Sequence, residues 1–165
     1  RLSPFRKNYR EAVSFNAMDP KTGRGWEGKG VIPDITVPVE QALVAAQIDA
    51  LKKLRERAAP EDGPAIDWAQ TELESQLRPV TMTRDELGTY AGTYGPRLIL
   101  LEGEGLFYQR QGRPKMPLAP LARDLFRVGD VDYFRLHFDR DPAGTITGLT
   151  GLYNDGREES NPREK

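Results

Sequence analysis

The chain contains no cysteine and a single histidine, His137. The missing cysteines exclude disulfide bonds, cysteine nucleophiles and thiolate metal sites, although they leave the compartment open, since many periplasmic proteins also lack cysteine. With one histidine, no pair of histidine ligands can come from this chain, and a zinc site would have to rely on carboxylates. We therefore expect no bound metal and no cofactor.

The sequence also lacks a long apolar run and a dominant charge. No stretch approaches the ~20 apolar residues needed to cross a bilayer, and 24 basic against 25 acidic residues give a net charge of −1. We expect no membrane segment in these residues and no general attraction to nucleic acid. With 165 residues and a mean hydropathy of −0.63, the chain can bury a core as one domain or as two small ones.

No residue is recognisable as a nucleophile. The serines Ser3, Ser14, Ser75 and Ser160 lie in polar or helical contexts without the elbow motif of serine hydrolases. His137 could act as a general base, but no serine can be placed near it by local spacing. We interpret it as a solvent-facing strand residue.

A glycine-rich loop matches the residue spacing of phosphate-binding motifs but not the structure that those motifs require. Residues 23–28 fit Gly-x-Gly-x-x-Gly, and residues 23–29 fit the start of a P-loop, but Gly30 stands where that loop needs Ser or Thr. Residues 31–33 read as extended, so no helix begins there to present its amides to a phosphate. We interpret these glycines as turn residues.

Residues 33–86 contain a bend and three helical signals. Pro33 and Asp34 predict the bend, and the Thr83-x-x-Glu86 capping box predicts a single helical turn. From residue 39 to 58, apolar residues recur at three- and four-residue steps and cations fill the last turns, which predicts a long helix. These apolar residues are Val39, Ala42, Leu43, Ala46, Ala50, Leu54 and Ala58. Residues 59–64 break the chain, and Pro64 begins a second helix with the apolar stripe Ile66, Ala69, Leu73 and Leu77.

After Tyr90, short apolar runs separated by turn residues are typical of an all-β sandwich or barrel. We predict consecutive antiparallel strands at 97–102, 106–110, 115–118, 124–128, 132–138 and 145–153. In the fifth of these, Phe134, Leu136 and Phe138 share the face that meets a core, and the opposite face is wet or lines a cavity. The charged tail, residues 158–165, is expected to fray.

One cluster of polar residues is a candidate binding site. Tyr108, Arg110, Arg113 and Lys115 lie around one predicted hairpin and could face a carboxylate or a phosphate. The alternative is a solvated strand rim, which is common in small sheets. The paired acids Glu102/Glu104 and Asp139/Asp141 are interpreted as turn residues rather than as a glycosidase pair.

Residues 26–38 read Trp-Glu-Gly-Lys-Gly-Val-Ile-Pro-Asp-Ile-Thr-Val-Pro, with Gly23 before them and Ala42-Leu43 opening a helix after them. This register resembles the end of the catalytic domain of the tail-specific (C-terminal processing) serine peptidases, whose relatives include the tricorn core and the retinoid-binding-protein repeats. Segments 90–97, 106–110 and 151–157 resemble, more loosely, the small β-barrel-like module appended to some of these peptidases and to other serine hydrolases.

The resemblance implies a parent enzyme that cleaves peptide bonds with a serine nucleophile, assisted by lysine or, in the tricorn-like branch, by histidine. In the family that machinery precedes the Trp-Glu-Gly segment, and no position here matches it, so no catalytic residue is assigned. We expect a fragment of a longer product, inert by itself, whose partner is the peptide or protein substrate. A periplasmic or secreted location is implied by the resemblance alone.

Together these observations predict an α+β chain. Residues 1–58 would be the strand, loop and long helix that end an α/β peptidase domain, and residues 59–86 a helical linker. Residues 87–157 would be an antiparallel accessory meander forming a small lipocalin-like barrel or sandwich, followed by the charged tail. Two alternatives stay open: a β-barrel-like binding module for a small apolar or peptide ligand, and a purely structural interaction domain, with homo-oligomerisation open in either case.

Overall fold

The computed structural model of the chain describes Lys21, Gly23 and residues 33–165. The strand predicted before the glycine-rich loop and most of that loop therefore lie outside the described residues. The chain divides into two compact units, Arg1–Thr36 and Val37–Lys165. In the first unit, Asp34 and Ile35 form a bend, which confirms the bend predicted from the Pro-Asp pair.

The second unit begins with two helices that pack against each other. A 3-10 turn at Val39–Gln41 leads into helix α1 (Ala42–Arg55), and a second 3-10 turn at Pro60–Asp62 leads into helix α2 (Gly63–Leu77). Arg55 Nε donates to Asp67 Oδ1 at 2.9 Å between the two helices. Both helices predicted from the apolar spacing are thus confirmed.

The apolar stripe that predicts α1 is not the face that α1 buries. Val39 is 89% exposed, Leu43 is 71% exposed and Leu54 is 53% exposed. The buried residues of α1 are instead Ala45 and Ile48. Helix α1 therefore carries apolar residues on two faces, and only one of them is covered.

A short helix, α3 (Arg84–Gly88), connects the helical pair to the sheet. Its capping box is present: Thr83 N donates to Glu86 Oε2 at 2.7 Å, and Glu86 N donates to Thr83 Oγ1 at 3.3 Å. Leu87, on the inner side of this turn, is buried in the core of the sheet. The capping-box prediction is confirmed.

The sheet has eight antiparallel strands, each paired with its neighbours in sequence. They are β1 (Gly92–Tyr94), β2 (Arg97–Glu102), β3 (Gly105–Arg110), β4 (Met116–Ala122), β5 (Leu125–Val128), β6 (Phe134–Arg140), β7 (Ile146–Tyr153) and β8 (Glu158–Pro162). All six predicted strands are present, and β1 and β8 are additions that the sequence patterns did not indicate.

The last residues of the chain bring the sheet close to a closed barrel. Glu164 N donates to Thr93 O at 2.9 Å, and Arg163 Nη2 donates to Ala91 O at 2.6 Å, so the chain after β8 meets β1. The expectation of a frayed tail is wrong for residues 158–162, because they form β8 on β7. Their charges lie at the surface, while their backbone is held by the sheet.

Side chains fill the interior of the barrel. Tyr90, Phe126 and Phe138 form an edge-to-face cluster with ring centroids 4.7 to 5.4 Å apart. Phe134 and Leu136 are buried with them, which confirms the predicted core face of β6. An eight-stranded barrel is just wide enough for its side chains to fill it, so this interior is a packed core.

One end of the core carries a hydrogen-bonded charged pair. Tyr90 Oη donates to Asp124 Oδ1 at 2.8 Å, and Arg140 Nη2 donates to the same oxygen at 2.7 Å. Burial would raise the pKa of Asp124, but the hydrogen bonds from Arg140 and Tyr90 outweigh it and hold this pKa below its usual value. Asp124 has a φ of 65°, a left-handed conformation that Asp and Asn tolerate better than most residues.

Replacement of Asp124 by Asn tests this pair, because Asn keeps the size and the backbone tolerance but loses the charge. We expect the free energy of unfolding at pH 7 to fall by about 2–3 kcal/mol, since Arg140 loses its counter-charge. The carboxylate of Asp124 stabilises the fold fully above its unfolded pKa of about 3.9, and this contribution is lost as the pH falls through the lower folded value. Urea denaturation at several pH values should therefore show that the difference in the free energy of unfolding between the wild type and the variant decreases in acid. A gap that stays constant down to about pH 2 would contradict this account.

Candidate functional site

Helix α2 lies across the outer face of the barrel and is anchored there by Trp68. Trp68 Nε1 donates to Asp132 O at 2.9 Å. Arg135, on β6, places its guanidinium 3.9 Å from the centroid of the Trp68 ring, within the range of a cation–π contact. Arg135 is only 4% exposed although it points away from the barrel core, because the helix covers it.

Two arginines meet one carboxylate beside this tryptophan. Arg127 and Arg135 are direct partners across β5 and β6. Glu72 accepts a hydrogen bond from Arg127 Nη1 at 2.8 Å and another from Arg135 Nη2 at 3.1 Å. Burial lowers the pKa of Arg135, the nearby carboxylate of Glu72 raises it in part, and the charge of Arg127 lowers it further. Like charges directly opposite each other are unfavourable in a sheet, so Glu72 holds this pair together.

These residues line a groove of about 600 Å³ between α2 and the barrel, which we call the helix groove. Its apolar walls come from Trp68, Ala69, Leu73 and Val131. Its polar groups are Glu72, Arg127, Asp130, Asp132 and Arg135. Trp68 and Arg135 also line a second groove of about 320 Å³. On the outward face of β6, Arg135 thus lines a cavity, which is one of the two outcomes that the alternation predicts.

The sequence patterns do not predict this assembly. Two local signals pointed toward it: Arg135 alternates with the buried Phe134 and Leu136, and Trp68 and Glu72 stand four residues apart, on the same side of a helix. Neither signal shows that the two elements meet, because Glu72 and Arg135 are 63 residues apart in the chain.

The four residues of the patch predicted around β3 do not lie on one face of the sheet. Tyr108 is buried, with its ring centroid 6.0 Å from that of Phe134, and burial raises the pKa of its hydroxyl. Arg110, Arg113 and Lys115 are exposed, and Lys115 Nζ pairs with Glu102 at 2.7 Å. Tyr108 therefore belongs to the core, because it shares the inward face of β3 with Leu106. Anion binding by the three exposed cations stays a prediction.

His137 lies on the outer face of β6, beside a row of hydroxyl groups. Its Nδ1 is 3.2 Å from Asp139 Oδ1, and Asp139 Oδ2 accepts a hydrogen bond from Thr150 Oγ1 at 2.9 Å. Thr150 Oγ1 is in turn 2.9 Å from Ser160 Oγ. In the part of the chain that the structure describes, Ser160 is thus bonded to a threonine and not to the histidine. This row is a cross-strand network rather than a nucleophile with its base.

The other predicted residues take structural roles. Asp141 Oδ1 accepts a hydrogen bond from Thr145 N at 2.8 Å, which confirms it as a turn residue. Ser75 Oγ donates to Glu72 O within α2 at 2.7 Å. Among the described residues, no group of three or more His, Asp or Glu side chains is arranged to hold a metal ion. No helix in that part of the chain is long and apolar enough to span a bilayer.

No family model and no curated protein matches this chain.

Removal of the Glu72 carboxylate tests the arginine pair. We expect Glu72→Ala to lower the free energy of unfolding by about 2 kcal/mol, because it leaves Arg135 buried without a counter-charge. This is less than for a fully buried pair because the Glu72 side chain retains 30% exposure. Glu74→Ala on the same helix is the matched control. Its ion pair with Lys52 spans 3.8 Å at the surface, so we expect a change within about 0.5 kcal/mol. Equal effects of the two variants in urea denaturation would contradict the interpretation.

Proposed function

We propose that this chain is the non-catalytic C-terminal part of a serine-type peptidase, and that the helix groove, between its helical linker and its accessory β module, holds the polypeptide substrate. The resemblance of residues 26–38 to the end of a peptidase catalytic domain supports the parent activity. In this proposal the serine nucleophile and its base belong to a catalytic domain that precedes this segment. The module contributes a surface on which the substrate chain is held.

The observation that carries the proposal is the chemistry of the helix groove. Arg127 and Arg135 each donate one hydrogen bond to Glu72, and their other N–H groups have no hydrogen-bond partner among the described residues. A polypeptide supplies carbonyl oxygens at every residue and apolar side chains at intervals. These groups match the free arginine donors and the wall formed by Trp68 and Leu73. The mixture of acidic and basic groups in the groove favours a ligand that is itself mixed in charge.

The filled barrel bears on the two alternative functions. A lipocalin-like module would hold an apolar ligand within its barrel, and here that space is taken by aromatic and aliphatic side chains such as Phe126, Leu136 and Phe138. A peptide ligand is therefore assigned to the outer surface. A purely structural role is favoured by a different observation, the uncovered apolar face of α1.

Binding of an unfolded polypeptide tests the groove. The probe is fluorescein-labelled carboxymethylated casein, titrated with the full chain while fluorescence anisotropy is recorded. We expect Leu73→Asp to weaken binding by about tenfold or more, because the charge removes part of the apolar wall. Tyr133→Asp is the matched control, since Tyr133 is an exposed aromatic residue outside the groove. An affinity that Leu73→Asp leaves unchanged, or that Tyr133→Asp lowers equally, would overturn the groove assignment.

A fluorophosphonate probe tests the non-catalytic part of the proposal. We expect no covalent labelling of the full chain under conditions that label a serine hydrolase run in parallel. The physical reason is that the Ser160 hydroxyl is held by Thr150 and lacks a basic partner. Efficient labelling, mapped to any serine by mass spectrometry, would show that the chain carries its own nucleophile.

A further inference from the structure

The second apolar face of α1 forms a continuous stripe at the surface. Its members are Leu43, Ala46, Ala50 and Leu54 of α1 and Val39 of the preceding 3-10 turn. We call these five exposed residues the α1 stripe. Their spacing of three and four residues places them on one side of the helix. Ala45 and Ile48, which are buried, lie on the opposite side. The stripe includes three of the five large hydrophobic residues that are exposed in the described part of the chain.

We propose that two copies of this chain associate through the α1 stripe, with the two helices antiparallel around a two-fold axis near Ala46 and Gln47. The partner is thus a second copy of the same surface. This association does not rest on the proposed function, because the stripe contains none of the residues of the helix groove.

The shape of the stripe is self-complementary about that axis. Antiparallel pairing places Val39 opposite Leu54 and Leu43 opposite Ala50. Large residues therefore face small ones toward the centre, where Ala46 allows the two backbones to approach closely. A two-fold interface requires this reciprocity, since residue i meets residue j and residue j meets residue i.

The charge along the segment selects the antiparallel orientation. Within the second unit, residues 37–51 contain two acidic residues and no Lys or Arg, whereas residues 52–57 contain four basic residues and one acidic residue. Antiparallel pairing lays the negative half of one helix over the positive half of the other and opposes the two helix dipoles favourably. Parallel pairing would superimpose like charges. Glu40 and Arg57 make no ion pair within the described part of the chain, so both are available across the axis.

The small area of the α1 stripe limits the expected affinity of the dimer. A stable interface buries about 1,200–2,000 Å² in total, and a single pair of short helices offers less. We therefore expect a reversible dimer with a Kd of about 10–100 µM.

Sedimentation equilibrium of the full chain between about 5 and 500 µM tests the association, because that range brackets the expected Kd. The wild type should change from monomer to dimer, and Leu43→Glu should remain monomeric throughout. Leu43 is 71% exposed, so the variant should fold, and circular dichroism checks this. Tyr133→Glu, which alters an exposed hydrophobic residue elsewhere, should dimerise like the wild type. A wild type that stays monomeric, or a Leu43→Glu variant that dimerises normally, would overturn the proposal.

Cross-linking tests the orientation, because the chain has no cysteine of its own. Under mild oxidation, Ala46→Cys should form a disulfide with its own copy. Val39→Cys should not do so alone but should form a mixed disulfide with Leu54→Cys. Efficient self-linking of Val39→Cys would instead show a parallel pair and overturn the proposal. Leu73→Asp should leave the dimer unchanged, so failure of the groove assignment and failure of the dimer can be told apart.

Discussion

The near-closure of the barrel is the constraint on which the rest of the structure depends. A meander of eight strands has two free edges, and each edge exposes backbone groups that need partners. Here Arg163 and Glu164 join the two ends of the sheet. Arg97 adds a link from β2 to β8, because its Nη1 donates to Glu159 O at 2.8 Å and its Nη2 pairs with Glu159 Oε2 at 2.6 Å. A Cβ at position 151 would lie 2.7 Å from Arg97 Nη2, so Gly151 makes room for this buried guanidinium.

In our proposal, the nearly closed barrel decides where a ligand binds. Its interior is filled by close-packed side chains, whose burial and aromatic contacts stabilise the fold. Only the outer surface therefore has room for a ligand. Helix α2 then creates a cavity by crossing that surface, because Trp68 and the arginine pair hold it above β5 and β6. Arg135 contributes to both the packing of the helix and the lining of the groove: its guanidinium stacks on Trp68, and the residue lines the cavity. In our proposal, stability and binding therefore depend on the same few side chains.

The helical pair gives the unit two distinct surfaces. Helix α2 faces the barrel on one side and α1 on another, so it joins the two halves of the unit. Helix α1 has a buried face of Ala45 and Ile48 and an uncovered stripe that begins with Val39 and ends with Leu54. In our proposals one surface holds substrate and the other holds a second copy. Two copies would then present two helix grooves within one assembly, which would increase avidity for a long polypeptide.

The sequence by itself determined the elements whose signals are local: both long helices, the capping box of Thr83 and Glu86, six strands and the core face of β6. These follow from periods of 3.6 and 2 and from turn residues within a few positions. Only the tertiary structure decided that the charged tail forms β8, that Tyr108 and Arg97 lie inside the barrel, and which face of α1 is covered. The decisive contacts join residues far apart, 62 positions for Arg97 and Glu159 and 64 for Trp68 and Asp132. A charged or polar residue carries no local sign of a partner at that distance, so its burial becomes visible only when the chain is folded.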